Sequence, residues 1–185
     1  SCGIVPGDGI IRHAANSAGV IDLPESHYDM VRPGISVYGY QPGDEMERIL
    51  PLRPCLRLIA PIVQLRTVPA GERCGYGLTH TFSRPSVVGL APIGYGDGYF
   101  RCLSNTATMG VGGKGVPVCG RVSMDQTIID VTDIPNAHVG MEVEIYSPNP
   151  EDPHSVENLA RMAGTIPHEI VTRIGSRVKR IAMKD

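Results

Sequence analysis

The chain has 185 residues, 42% hydrophobic and 19% charged, with a formal net charge of -2. That suits a globular protein with a real core, of one domain or one domain plus a piece of another. The balance holds no block of like charge, which argues against nucleic acid or a membrane surface as partner, and no apolar run approaches the ~20 residues of a membrane span.

Five cysteines, Cys2, Cys55, Cys74, Cys102 and Cys119, are odd in number and scattered, with no Cys-x-x-Cys pair. They read as reduced thiols of a cytoplasmic protein, not as a disulfide frame or a zinc site. Cys74 reads as a small packed residue. The 22 glycines and 16 prolines fit frequent turns between short strands.

In chain order, residues 10–17 show no helical period and read as a short strand ending in Asn16-Ser17. Residues 23–26 open a short helix or a loop. Residues 28–40 hold a second strand-like run, broken by Pro33-Gly34. Strand, connector and strand make the end of an α/β unit, which is too short to close a barrel. Gln41-Pro42-Gly43-Asp44 marks a boundary, and residues 45–53 form a link of little pattern.

From Leu56 the chain reads as β. Strands are expected over residues 56–66, with an edge or bulge at Pro61, and over 86–93, 107–111, 116–119, 126–131 and 141–146. Gly112-Gly113-Lys114-Gly115 reads as a hairpin turn. Asp152-Pro153-His154-Ser155 opens a helix to about Ala163, and Pro167 begins another that stops at Gly175. The expected architecture is mainly β: a small barrel or sandwich with two short helices over residues 56–185, a connector over 44–55, and a partial α/β unit over 1–43. Asp130, Asp133, Glu142 and Glu144 have no histidine at ligand spacing and read as solvated faces, so no metal site is expected.

The chemistry-bearing stretch is Pro69-Ala70-Gly71-Glu72-Arg73-Cys74-Gly75-Tyr76-Gly77-Leu78-Thr79. Glycines on both sides of Tyr76 permit a sharp turn and close approach, so the hydroxyl can point out of its domain. The segment alone also fits a β-bulge with a half-buried tyrosine. It stands with His13-Ala14-Ala15-Asn16-Ser17, Val31-Arg32-Pro33-Gly34-Ile35-Ser36-Val37-Tyr38-Gly39, Pro92-Ile93-Gly94-Tyr95-Gly96-Asp97-Gly98-Tyr99 and Gly120-Arg121-Val122-Ser123-Met124-Asp125-Gln126. In this order the five segments resemble the later part of the alanine racemases, pyridoxal-phosphate (PLP) enzymes that interconvert L- and D-alanine.

The resemblance implies that residues 1–43 are the tail of an N-terminal (β/α)₈ barrel and the rest is the β-rich second domain. Ser17 and the backbone N–H groups of Gly34 and Ile35 match the positions that hold the PLP phosphate, a use the residue types suit. Ser17 also fits a turn hydroxyl. Arg32 matches the arginine that faces the pyridine nitrogen, where a permanent cation would leave the ring unprotonated. His13 and Asn16 match residues that support it, although His13 also fits a structural histidine.

Tyr76 matches the catalytic tyrosine, which works in the partner subunit's site. A phenol has a pKa of about 10, so it needs cations or donors to act as a base near neutrality. Met124 matches the residue whose N–H holds the substrate carboxylate, and Asp125 the residue that fixes its loop; the Met124 side chain also fits core packing. Tyr95, Arg101 and Arg121 match residues at the substrate entry, where positive charge would attract a carboxylate. The two arginines also fit an ordinary surface.

One departure is Ser176, at a position where many members carry a phosphate-binding tyrosine. The lysine that forms the Schiff base with PLP has no counterpart: Lys114, Lys179 and Lys184 stand in other contexts. The reading is therefore part of a homodimeric racemase that supplies D-alanine for peptidoglycan, with this piece alone inactive and without cofactor. Two other readings remain: a non-catalytic β-domain interaction module, and a related broad-specificity PLP racemase or decarboxylase.

Overall fold

A computed structural model describes residues 9–43, 45–47 and 50–183. Cys2, Asp44 and Lys184 lie outside the described residues. The chain divides into two compact units, Ser1–Cys55 and Leu56–Asp185.

In the first unit, residues 10–16 and 28–34 run without a regular ladder. The N–H of Asp29 donates to Arg12 O at 3.0 Å, and that of Arg32 to Ala15 O at 2.8 Å. The two stretches thus lie side by side and parallel, but the expected strands over 10–17 and 28–40 do not form. The cause is local. Asn16 Oδ1 accepts the Gly19 N–H at 3.0 Å and caps a helix, α1 (Ser17–Asp22), so Asn16-Ser17 opens a helix instead of closing a strand. Pro24–Ser26 and Ile35–Tyr38 are single 3-10 turns. The buried set is small, with Ala15, Ile21, Ile35 and Tyr40, while Ile10, Ile11, Tyr28, Met30, Val37 and Tyr38 are exposed.

The second unit is mainly β, with antiparallel sheets and two short helices. Its strands are β1 (Leu58–Pro61), β2 (Gln64–Val68), β3 (Arg73–Cys74), β4 (His80–Thr81), β5 (Ser86–Ala91), β6 (Thr108–Val111), β7 (Lys114–Pro117), β8 (Thr127–Asp130) and β9 (Glu142–Tyr146). They form a four-stranded sheet β1-β9-β6-β7, a three-stranded sheet β2-β5-β8 and the ribbon β3-β4. The sheets do not close, so the architecture is an open pairing of sheets instead of a barrel.

The single strand expected over residues 56–66 is two strands in different sheets. Pro61 ends β1 on the sheet edge, where its missing N–H costs no ladder bond. The next two N–H groups go to different sheets: Ile62 donates to Met141 O at 2.8 Å and Val63 to Leu90 O at 2.9 Å. Gly112 and Gly113, at φ +58 and +76, form the β6–β7 turn, and Lys114 and Gly115 already belong to β7.

Met109, Ile129, Ile145, Leu159 and Ile170 are fully buried, each side chain contributing about 1.5–3 kcal/mol. Helix α2 (Val156–Ala163) is capped by Ser155, whose Oγ accepts the Asn158 N–H at 3.2 Å, and α3 (Pro167–Thr172) follows. Glu144 is not a solvated face. It lies on β9 between Arg57 and the buried His154, whose Nε2 is 3.0 Å from its carboxylate. No helix among the described residues is long and apolar enough to cross a membrane.

Candidate functional site

Tyr76 stands at the tip of the β3–β4 ribbon, in a five-residue loop running from Gly75 to Thr79, and is 73% exposed. The β-bulge reading is set aside: the loop is a 3-10 turn with Gly75 at φ +73 and Gly77 at φ +72, conformations that glycine adopts without strain. The ribbon has only two residue pairs, Arg73 with Thr81 and Cys74 with His80. Its support comes from the segment running from Gly120 to Asp125. A Cβ on Gly75 would sit 3.0 Å from Arg121 N, and one on Gly77 would meet the Arg121 guanidinium at 3.8 Å. Arg121 therefore lies directly against the tyrosine's loop.

The same segment carries a second turn. Tyr95 N–H donates to Ser123 O at 3.0 Å, and Gly96 N–H to Met124 O at 2.8 Å. The approach is so close that a Cβ on Gly94 would lie 2.1 Å from Ser123 O, leaving glycine as the residue that fits. Tyr95 and Met124 are 48% and 53% exposed. The loops bearing Tyr76, Tyr95 and Met124 thus share one support, although the three side chains are far apart in sequence. Among the described residues no hydrogen bond uses the Met124 N–H, which leaves a backbone donor for a ligand.

Arg177 secures this arrangement. Its guanidinium bonds Asp97 Oδ1 through Nε at 2.6 Å and Asp125 Oδ1 through Nη2. Asp97 is buried and its other oxygen accepts the Gly94 N–H at 2.9 Å. Asp125 thus acts through an ion pair, and Arg177 and Asp97 are site residues that sequence reasoning missed. Asp97 lies inside a quoted motif, but its pairing with Arg177 spans 80 positions and leaves no local signal. Arg101 is exposed, at the start of the 3-10 turn Arg101–Leu103. Among the described residues neither it nor Arg121 forms an ion pair. Ser176, beside Arg177, is exposed.

In the first unit, the residues expected at a phosphate do converge. Ser17 is buried, and its Oγ accepts the Gly34 N–H at 2.8 Å and the Ser36 N–H at 3.3 Å. Ile35, between them, is the first residue of its 3-10 turn, so its N–H has no acceptor inside that turn. Arg32 is exposed, with one long contact from Nη2 to Ala14 O at 3.4 Å. His13 is exposed, and no hydrogen bond joins it to Arg32 among the described residues; the Asn16 side chain is used as the cap of α1.

The four described cysteines are free thiols. Burial raises the Cys74 thiol above its ordinary range and pushes Cys119 up to about 12, which makes both poor nucleophiles. Glu144, Asp152 and His154 approach one another within 4.8 Å, but the Arg57 guanidinium already holds Glu144.

The family model for the alanine racemase C-terminal domain matches residues 55–182, and that for the N-terminal domain matches residues 5–42. Alanine racemase 1 of Caldanaerobacter subterraneus subsp. tengcongensis is 43% identical over 175 residues, covering 95% of this chain and 45% of the relative. Alanine racemase 1 of Clostridium acetobutylicum is 39% identical, with 95% and 46% covered. The crystal structure of alanine racemase from D-cycloserine-producing Streptomyces lavendulae matches with a TM-score of 0.86 at 38% identity, over 95% of this chain and 46% of that one. That of the Bartonella henselae enzyme with covalently bound pyridoxal phosphate matches at 0.79 and 37%, over 90% and 45%. The chain spans less than half the length of these relatives. With a domain model matched over most of its length, the chain belongs to the alanine racemase family.

Proposed function

We propose that this chain forms part of a PLP-dependent alanine racemase in which Tyr76 is the proton-transfer base on one face of the substrate Cα. The carrying observation is the presentation of Tyr76: a ring 73% exposed on a loop braced from below by Gly120 and Arg121. A tyrosine that only packed its own domain would be buried, as Tyr99 and Tyr146 are. An exposed phenol held on a short ribbon suits insertion into a neighbouring subunit, so the reading includes a homodimer with shared sites. Residues 1–43 are then the tail of the PLP-binding barrel, residues 44–55 the connector and 56–185 the β domain.

The first unit's donors fit a phosphate. Three consecutive N–H groups, of Gly34, Ile35 and Ser36, lie beside the Ser17 hydroxyl, and two of them point at its oxygen. Ser17, Gly34 and Ile35 would hold the PLP phosphate, and Arg32, free to extend, would face the ring nitrogen. When bound, PLP withdraws electron density from the substrate Cα and makes its proton removable.

This chain's residues do the rest. The Met124 N–H holds the substrate carboxylate. Tyr95 narrows the space beside it, and Arg101 and Arg121 favour entry of an anion. Tyr76 Oη takes or returns the proton on its own face. The second base and the lysine that anchors PLP belong to the part of the relatives that this chain does not span. The activity is thus that of the longer protein, which works in the cytoplasm and supplies D-alanine for peptidoglycan.

The test is Tyr76→Phe in the full-length protein. Racemisation should fall by roughly 10²–10⁴-fold, the usual worth of a positioned acid–base group, while PLP absorbance is retained. Unchanged turnover would sink the assignment.

A further inference from the structure

We propose that Asn105 is a positioning residue for Tyr76, an inference that rests on Tyr76 being a proton-transfer base. Asn105 lies in the turn after Leu103, at φ +61, a left-handed conformation that asparagine tolerates better than most residues. Its side-chain amide uses both ends. Nδ2 donates to Thr79 Oγ1 at 3.1 Å, and Oδ1 accepts the Gly120 N–H at 2.7 Å. Thr79 is the last residue of the Tyr76 loop, and Gly120 is the residue on which Gly75, the first, rests. One amide therefore ties the exit of the loop to the floor beneath its entrance.

The neighbour of Asn105 strengthens the bracket. Ser104 Oγ accepts the Val122 N–H at 3.0 Å and donates to Arg101 O. Two consecutive side chains thus take the alternate N–H groups of residues 120 and 122, as an adjacent strand would. Arg121 N, between them, faces Gly75. Among the described residues, the Asn105 amide makes the only side-chain hydrogen bond reaching the loop from Gly75 to Thr79. With two ribbon pairs holding the loop from behind, that contact sets where the phenol points. Displacing a reacting group by about 1 Å can cost on the order of 100-fold in rate.

The test uses the full-length, PLP-loaded protein and follows solvent deuterium entering Cα of each alanine enantiomer separately, beside net racemisation. Tyr76 serves one face, so moving it should slow exchange in one enantiomer only. Thr79→Val, which removes the hydroxyl from an exposed site, and Asn105→Gly, which keeps the left-handed backbone unstrained, should each slow racemisation roughly 10- to 100-fold. Both should slow exchange in the enantiomer that Tyr76→Phe affects and leave the other near its original rate. Thr79→Ser should restore activity, and the double variant should be no slower than the worse single, since both remove the Asn105–Thr79 bond. Exchange falling equally in both enantiomers, or an unaffected Thr79→Val, overturns the positioning role. If Tyr76→Phe itself leaves both exchange rates unchanged, the base assignment fails and this inference with it; if only Tyr76→Phe acts, the positioning role alone fails.

Discussion

Arg177 Nε lies 2.6 Å from Asp97 Oδ1, and the same guanidinium reaches Asp125 Oδ1 across a gap of 52 positions. Asp97 belongs to the turn that carries Tyr95, and Asp125 follows Met124. One planar cation therefore locks two exposed turns together, with two separate nitrogens aimed at two carboxylates. Lysine offers a point charge where this geometry needs a fork.

Arg177→Lys should accordingly behave more like Arg177→Ala than like the wild type. With Met124 as the carboxylate holder, KM for alanine should rise about tenfold in the full-length enzyme while kcat changes less. Steady-state kinetics in both directions checks this. An unchanged KM in Arg177→Lys would show that the fork is dispensable.

Gly94→Ala should be among the most damaging small substitutions in the β domain. The new Cβ would sit 2.1 Å from Ser123 O, a backbone atom that cannot swing aside, so the two turns must part. Overpacking of this kind costs about 1–3 kcal/mol or more. Thermal unfolding should show a clear drop in Tm, and retention of the wild-type Tm would contradict the close contact.

Ser155→Ala removes the N-cap of α2, which also leaves the half-buried Asn158 N–H unanswered. The expected loss is about 1 kcal/mol, read from the denaturant midpoint at constant m-value. Ser155→Asp should recover part of that loss by accepting the same N–H.

Acid should weaken the four-stranded sheet through Glu144. Burial alone would raise this carboxyl, but hydrogen bonds from Arg57 and His154 outweigh it and hold it below its ordinary 4.5. A carboxyl lowered by folding stabilises the protein above its unfolded value, and that contribution drains away as pH falls from about 4.5 through the folded value. Glu144→Gln should therefore cost about 1–3 kcal/mol near neutrality and flatten the acid limb. Urea midpoints between pH 7 and pH 3 measure both effects. A parallel pair of curves would mean that Glu144 contributes nothing to the pH dependence.

Much of the β domain was legible because its signals are local. Gly112-Gly113 supplies the left-handed pair that a tight hairpin needs, Ser155 is the hydroxyl that starts α2, and Pro167 suits the first turn of α3. The glycines around Tyr76 likewise marked a sharp turn, and the turn is there. Residues 10–17 misled for a related reason. A run without helical period reads as a strand, but a strand also needs a partner, and two backbone bonds from residues 29 and 32 do not make a ladder.

By itself the sequence determined that this chain turns often and presents a tyrosine between glycines, because those properties are carried by adjacent residues. Tertiary structure decided which strands share a sheet and where the chain changes sheets, between Ile62 and Val63. It also decided that Asn105, Arg177 and Asp97 brace the exposed loops from 26 to 80 positions away. Such contacts depend on where the folded backbone brings distant groups together, and no local pattern of residues encodes that distance.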